Sequence, residues 1–274
     1  MMRDRTAPAR IDRLAGQLAY LVCKSPLPPL DEMAATLGCG ACGAEFSRGK
    51  YSFDFTPPRA FREGSAIWEA WEQVQANGLT TYAADPDRNL SVGQRDDCRG
   101  FRDFCACRGL VLDVGCGPQP WPAYFHRASE VTYVGIDPLA DEGSAEFLKF
   151  IGLGEFLPFA AHTFDHVMFA TTLDHFVDPA AALVEAARVL KPAGDIDVWL
   201  GEKNAAAPKP AGSPEWYQRM TRPALADDLF HIKRMGDADF RSRLRRANLT
   251  IVDSERHQLD AYRANYFYRL RPSR

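Results

Sequence analysis

Asp113-x-Gly115-x-Gly117 closes an apolar run at 111–114, and Asp137 closes a second run at 131–136, about twenty residues later. A buried strand that opens into a glycine turn lets a ligand come close to backbone. An acid at the end of the next strand accepts hydrogen bonds from ribose hydroxyls. These residues therefore describe a nucleoside site. Dinucleotide folds carry Gly-x-Gly-x-x-Gly and lay the pyrophosphate on the following helix N-terminus. Here the third glycine is missing, and Pro118, Pro120 and Pro122 remove N–H donors that a phosphate would want. Asp113 would repel a pyrophosphate but can bind an ammonium. A nucleoside carrying a cationic amino acid fits this loop better than a dinucleotide does.

The same residues resemble motif I and its acidic partner in class I S-adenosylmethionine-dependent methyltransferases of the type 11 group. Downstream, Gly154-Glu155-Phe156-Leu157-Pro158-Phe159 followed by Phe164-Asp165 resembles the family's E-x-L-P-F…F-D block. Residues 170–176 with Asp178-Pro179 resemble its loop after the fourth strand, and Leu190-Lys191-Pro192-Ala193-Gly194 its L-K-P-G-G turn, with Ala193 the one difference. The resemblance covers 109–201. It implies an α/β fold: a Rossmann-like, seven-stranded, mostly parallel sheet with helices on both faces and an antiparallel last strand. It also implies S-adenosylmethionine as cofactor. Asp113 would then meet the methionine ammonium, and Gly115, Cys116 and Gly117 would give close backbone approach. Asp137 would bind ribose, Pro138 and Leu139 would pack on adenine, and Gly154, Glu155 and Thr171 would border the cofactor. Leu153 stands where the family often has an aspartate for the adenine amino group.

Methyl transfer from a sulfonium is an in-line displacement with a neutral thioether as leaving group. The protein must align the acceptor and keep water out. A hydroxyl acceptor must also lose its proton, and histidine is the natural base near neutral pH. His175 follows the fourth strand, and His231 lies in the segment that builds the acceptor pocket in similar enzymes. Both are candidate catalytic residues. Asp174 can orient His175 only if the chain turns there, because adjacent residues of a strand point apart.

Several elements must position these residues. Ile67, Trp68, Trp71 and Val74 recur at helical spacing and predict a helix over 66–79. The second half of 89–107 is expected to be helical, as are 180–190, 216–220 and 237–247. Strands are expected at 195–200, 249–252 and 266–268. Three units follow: a small module at 1–60, a helical linker or lid at 61–108, and the catalytic domain at 109–274 with an acceptor-pocket insert at about 202–248.

The first unit resembles a zinc ribbon. Cys39 and Cys42 form a C-x-x-C on glycines, and 49–55 alternates as a strand should. Cys23 opens a second knuckle, but Pro26 stands where its partner cysteine would be. A closed zinc site wants four ligands. Cys23, Cys39 and Cys42 are candidate Zn2+ ligands, with Cys98, Cys105 or Cys107 as a candidate fourth.

With 274 residues, 46% hydrophobic and 25% charged, the composition is that of a globular protein, and no apolar run approaches a membrane span. A net charge of -3 argues against general nucleic-acid affinity, although Lys233, Arg234, Arg241, Arg243, Arg245 and Arg246 cluster late in the chain. Seven cysteines and no apolar leader point to a reducing, cytoplasmic setting. The expected function is methylation of oxygen or nitrogen on a small metabolite such as a sugar or natural product. Alternatives are a ribosomal RNA methyltransferase with a degenerate ribbon and a non-catalytic cofactor-binding protein. The expected partners are the small-molecule acceptor and at most a second copy of the chain, with no nucleic acid and no membrane.

Overall fold

Strands buried on both faces belong in the middle of a parallel sheet covered by helices, and the apolar runs of the second half of the chain take that place. The computed structural model describes residues 14, 16–20, 22–31, 34–58, 62–85, 95–122, 124–125, 131–143, 145–204, 206–208 and 215–273. Near the start, β1 (Thr36–Gly38) pairs antiparallel with β2 (Glu45–Ser47). Then β3 (Gly109–Val114), β4 (Val131–Asp137), β5 (Leu148–Ile151), β6 (Phe164–Ala170), β7 (Leu190–Lys203), β8 (Leu249–Gln258) and β9 (Arg263–Pro272) form one sheet. Its order is β5-β4-β3-β6-β7-β9-β8. The pairs from β5 to β7 are parallel, and β9 runs antiparallel to β7 and β8. This is the expected α/β architecture.

Helices α1 (Ala66–Ala84), α2 (Asp96–Cys105), α3 (Pro179–Val189), α4 (Glu215–Gln218) and α5 (Asp237–Arg246) complete the described elements. α3 starts where its sequence says it should. Asp178 caps it by accepting from the N–H groups of Ala180 (3.0 Å) and Ala181 (3.2 Å), and Pro179 occupies the first turn, where no N–H is needed. Alternation along β3 divides the core. Leu112 and Val114 pack in one cluster with Leu183 of α3 and Phe240 and Leu244 of α5. Val111 packs in another with Phe101 and Phe104 of α2 and with Phe267.

The N-terminal module shares the first of these cores. Leu18, Phe46 and Phe55 belong to the same buried cluster as Val134 and Phe150. Residues 53–55 run beside β5, with Phe55 N–H donating to Ile151 O at 2.8 Å and Ile151 N–H to Phe53 O at 3.0 Å. An edge that would otherwise present unpaired N–H and C=O groups is thereby covered. The strand expected over 49–55 is not continuous. Residues 49–52 turn instead, because the carboxylate of Asp141 takes three of the backbone N–H groups there: Lys50 (2.6 Å), Tyr51 (2.6 Å) and Ser52 (3.1 Å). Gly49 permits this approach, since a Cβ there would lie 2.5 Å from the Asp141 carboxylate. β8 and β9 are longer than expected, and α1 extends to Ala84. Among the described residues no helix is long and apolar enough to cross a membrane.

Asp141→Ala leaves those three N–H groups to water. We expect a loss of about 1–2 kcal/mol in urea unfolding and faster proteolysis within 45–55. An unchanged midpoint and unchanged cleavage would contradict the clasp.

Candidate active site

The carboxyl ends of β3 and β4 are where ligands bind in open α/β sheets. There Gly115 takes φ +91°, and a Cβ on it would lie 2.6 Å from the Thr172 side chain, so only glycine fits. Thr172 is itself fixed by donating its hydroxyl to Val114 O at 2.7 Å. Asp137 ties the two strand ends together. Its Oδ2 accepts from Gly117 N–H at 2.9 Å and its Oδ1 from Leu139 N–H at 2.7 Å. Burial raises its pKa, while these two N–H groups oppose the rise.

A cavity of about 790 Å³ opens at this point. Of the residues expected to bind cofactor, Gly115, Cys116, Gly117, Asp137, Pro138, Leu139 and Thr171 line it. Asp113 does not. It shares the strand face of Val111, away from the cavity, and its Oδ2 accepts from Tyr124 (2.5 Å) and from Tyr133. Its Oδ1 is buried without a hydrogen-bond partner, and burial pushes its pKa up to about 7. Tyr124, one of its two donors, does line the cavity.

Gly154 and Glu155 are also off the wall. Gly154 packs against Val114 and Phe176. Glu155 accepts from the N–H groups of Val177 (2.9 Å) and Asp178 (3.2 Å), so it holds the start of α3. Burial pushes its pKa up to about 7 as well. Leu153, one residue earlier, lines the cavity and presents an apolar surface where a polar one was looked for.

Both candidate bases face the cavity, and the fold brings them together across 56 residues of chain. Their rings lie 4.2 Å apart, centroid to centroid. Residues 173–175 form a single tight turn, so Asp174 and His175 do not point apart as strand residues would. Asp174 lies 3.9 Å from His175 Nε2 and closer, 3.5 Å, to His231 Nε2. On the other side of the His231 ring, Nδ1 meets Asp228 Oδ1 at 2.7 Å. Asp228 also accepts from Arg234 Nε at 2.7 Å and from backbone N–H groups of Phe230 and His231. These partners hold its carboxyl well below the usual range against the opposing effect of burial. Burial, then the neighbouring His231, pushes the pKa of His175 down to about 4, although 33% of its side chain remains open to the cavity.

Other wall residues are not legible in the sequence. Trp71 of α1 is buried as its helical spacing requires, yet it also lines the cavity and donates its indole N–H to His175 O at 3.0 Å. α1 and the segment after β7 form the roof: Ala70, Trp71 and Val74 pack with Ala226 and Ile232. Asn77 Nδ2 donates to Leu229 O at 2.8 Å. Lys149, a cation inside the apolar run of β5, is buried and reaches Gly117 O (3.5 Å) and Gln119 O (3.4 Å) of the glycine turn. A lysine inside an otherwise apolar strand is the signal that marks it.

The three ribbon cysteines converge. Cys23 Sγ lies 3.7 Å from Cys39 Sγ, and Cys42 completes the group. No fourth Cys, His, Asp or Glu joins them among the described residues. Cys98 and Cys105 are buried on α2 in the other core cluster, and Cys105 and Cys107 gather with Asp197 instead, so none of them serves as the fourth ligand.

Residues 112–196 match the family model described as a methyltransferase domain. An uncharacterized methyltransferase of Schizosaccharomyces pombe is 36% identical over 138 residues, which is 43% of this chain and 49% of that protein. The chain thus spans about half the length of the curated relative it matches. YcgJ of Bacillus subtilis is similar in fold, at 15% identity over 65% of this chain and 98% of that one, with a TM-score of 0.47. Phosphoethanolamine N-methyltransferase 2 of Haemonchus contortus, solved with phosphomonomethylethanolamine and S-adenosylhomocysteine, is 11% identical over 66% and 53% of the two chains, with a TM-score of 0.47. Residues 112–196 thus resemble a methyltransferase domain and lie within the seven-stranded sheet, behind a small antiparallel module with a cluster of cysteines.

Asp113 and Glu155 generate a pH dependence of stability. Each holds its proton up to about pH 7 when folded but releases it near pH 4 when unfolded. Their contribution is complete below about pH 4 and is lost as pH rises to about 7. Urea midpoints are expected to change less between pH 4 and 7 in Asp113→Asn and Glu155→Gln than in the parent. Parallel profiles would refute the assignment.

Proposed function

We propose that the protein transfers the methyl group of S-adenosylmethionine to a hydroxyl or amine of a small metabolite. The observation that carries this reading is one cavity that joins the Asp137 end of the sheet to the His175–His231 pair. The residues present fit the cofactor. The Gly115–Gly117 turn leaves room for backbone approach, and Asp137 keeps free lone pairs for ribose hydroxyls. When bound, the cofactor supplies a methyl on a cationic sulfur that departs as a neutral thioether.

The chain's own residues do the rest. Trp71 and Phe230 line the cavity wall beside the two histidines. Asp228 fixes the tautomer of His231, leaving Nε2 free on the side of Asp174. His175, neutral at pH 7, keeps a ring nitrogen lone pair that can accept a proton from the acceptor.

Two features favour a small acceptor over RNA. Three of the six late basic residues are paired where they stand: Arg241 with Asp237 at 2.8 Å, Arg243 with Asp239 at 3.1 Å, and Arg234 with Asp228. α1 and the segment after β7 also pack together along one side of the cavity. The ribbon cysteines are arranged for Zn2+ with a fourth position left to a donor other than cysteine. Metal analysis of the full chain is expected to find zinc that Cys39→Ser removes; a metal-free parent would refute this.

Asp137→Ala is expected to weaken S-adenosylmethionine binding at least tenfold in calorimetry. His231→Ala or His175→Ala is expected to lower turnover by about 10²–10⁴ while cofactor affinity holds. Unchanged affinity in the first variant would remove the ribose role. Full turnover in both histidine variants would remove the base.

A further inference from the structure

We propose that Asp174, His175 and His231 form a binding site for a divalent first-row transition-metal ion on the acceptor side of the cavity. One ligand atom from each lies within 4.8 Å of the others. The separations are 3.5 Å from His231 Nε2 to Asp174 Oδ2 and 3.9 Å from His175 Nε2 to Asp174 Oδ1. Both contacts are long for hydrogen bonds. Ligands held about 2.0–2.2 Å from a common cation stand about 3–3.5 Å from one another. Closing the site therefore requires only small side-chain shifts.

The surroundings are those of a ligand set. His231 presents Nε2 toward Asp174 because its Nδ1 is bonded to Asp228 at 2.7 Å, the outer carboxylate that metal-binding histidines typically carry. Asp228 cannot turn away, since its Oδ1 also takes the N–H groups of Phe230 (2.9 Å) and His231 (3.1 Å). Trp71 fixes the His175 backbone from the other side. Both imidazoles line the cavity, so a bound ion keeps positions open to water or acceptor. Two imidazoles and one carboxylate suit Mn2+, Fe2+, Co2+ or Zn2+ better than Mg2+ or Ca2+. One cation already competes: Arg234 Nη1 lies 3.6 Å from Asp174 Oδ2. Its side chain is 37% exposed and its Nε is held by Asp228 at 2.7 Å, so Nη1 must give up Asp174 when the ion arrives.

What the ion would do rests on the methyltransferase reading; that it binds does not. In an open position it would lower the pKa of an acceptor hydroxyl and so release the proton to solvent without a histidine base.

Titration of the full chain with Co2+ tests the site through its visible spectrum. Nitrogen and oxygen ligation gives d–d bands without the sulfur-to-cobalt charge transfer that the ribbon thiols would add. We expect one such site, weakened at least tenfold by Asp174→Asn and by His175→Gln, and about 10–100-fold by Asp228→Asn. Arg234→Gln is expected to tighten it, and Cys39→Ser to leave it unchanged. Cobalt bound only with thiolate bands, no binding, or nitrogen–oxygen binding indifferent to all four cavity variants would overturn the proposal. Calorimetry with S-adenosylmethionine on the same proteins separates the two readings. Cofactor binding without cobalt binding sinks the cation site alone, and the reverse sinks the methyltransferase.

Discussion

The carboxylate of Asp137 is the fastening on which the strand-end side of the cavity depends. It joins the end of β4 to the turn after β3 through Gly117 N–H, and it holds its own loop through Leu139 N–H. Two parallel strands fix the register, with Val114 opposite Ile136. The glycine turn then has nowhere to go but over the strand ends. Lys149 braces the same turn from below through two carbonyls. A buried cation and a buried carboxylate close to one backbone loop make it a rigid, charged floor.

The histidine end is built differently. No strand end fixes His231; its position comes from Asp228, three residues before it in a tight loop, and from the packing of that loop on α1. Asn77 and Trp71 of α1 reach across to Leu229 and His175. The roof and the histidine pair therefore form as one unit. A change in how α1 sits moves both imidazoles without touching either.

The N-terminal module is not an independent bead. It completes the sheet edge beside β5, shares the core under β4, and clasps Asp141 two residues beyond Leu139 of the cavity wall. The module's turn at 50–52 is thus bonded directly to the loop that borders the cavity.

While the ribbon-like module and the methyltransferase domain came from resemblance, spacing alone carried the strand–glycine–acid pattern and the helix over 180–190. These are local or near-local facts: an apolar run, a glycine that must take positive φ, an aspartate before proline. Sequence also pointed to His175 and His231 as separate candidates. What it did not show is that they touch, that Asp228 orients one of them, or that Trp71 serves the wall as well as the core. Those depend on where α1 and the segment after β7 pack, and apolar spacing says only that a face is buried, not against what. Asp113 and Glu155 are the clearest case. Their place in the motifs suggested ligand contact, but strand alternation turns the first toward Tyr124 and Tyr133, and the second spends its carboxylate on the backbone of 177–178. Side-chain direction within a motif is settled by the neighbours it meets, and those neighbours come from distant parts of the chain.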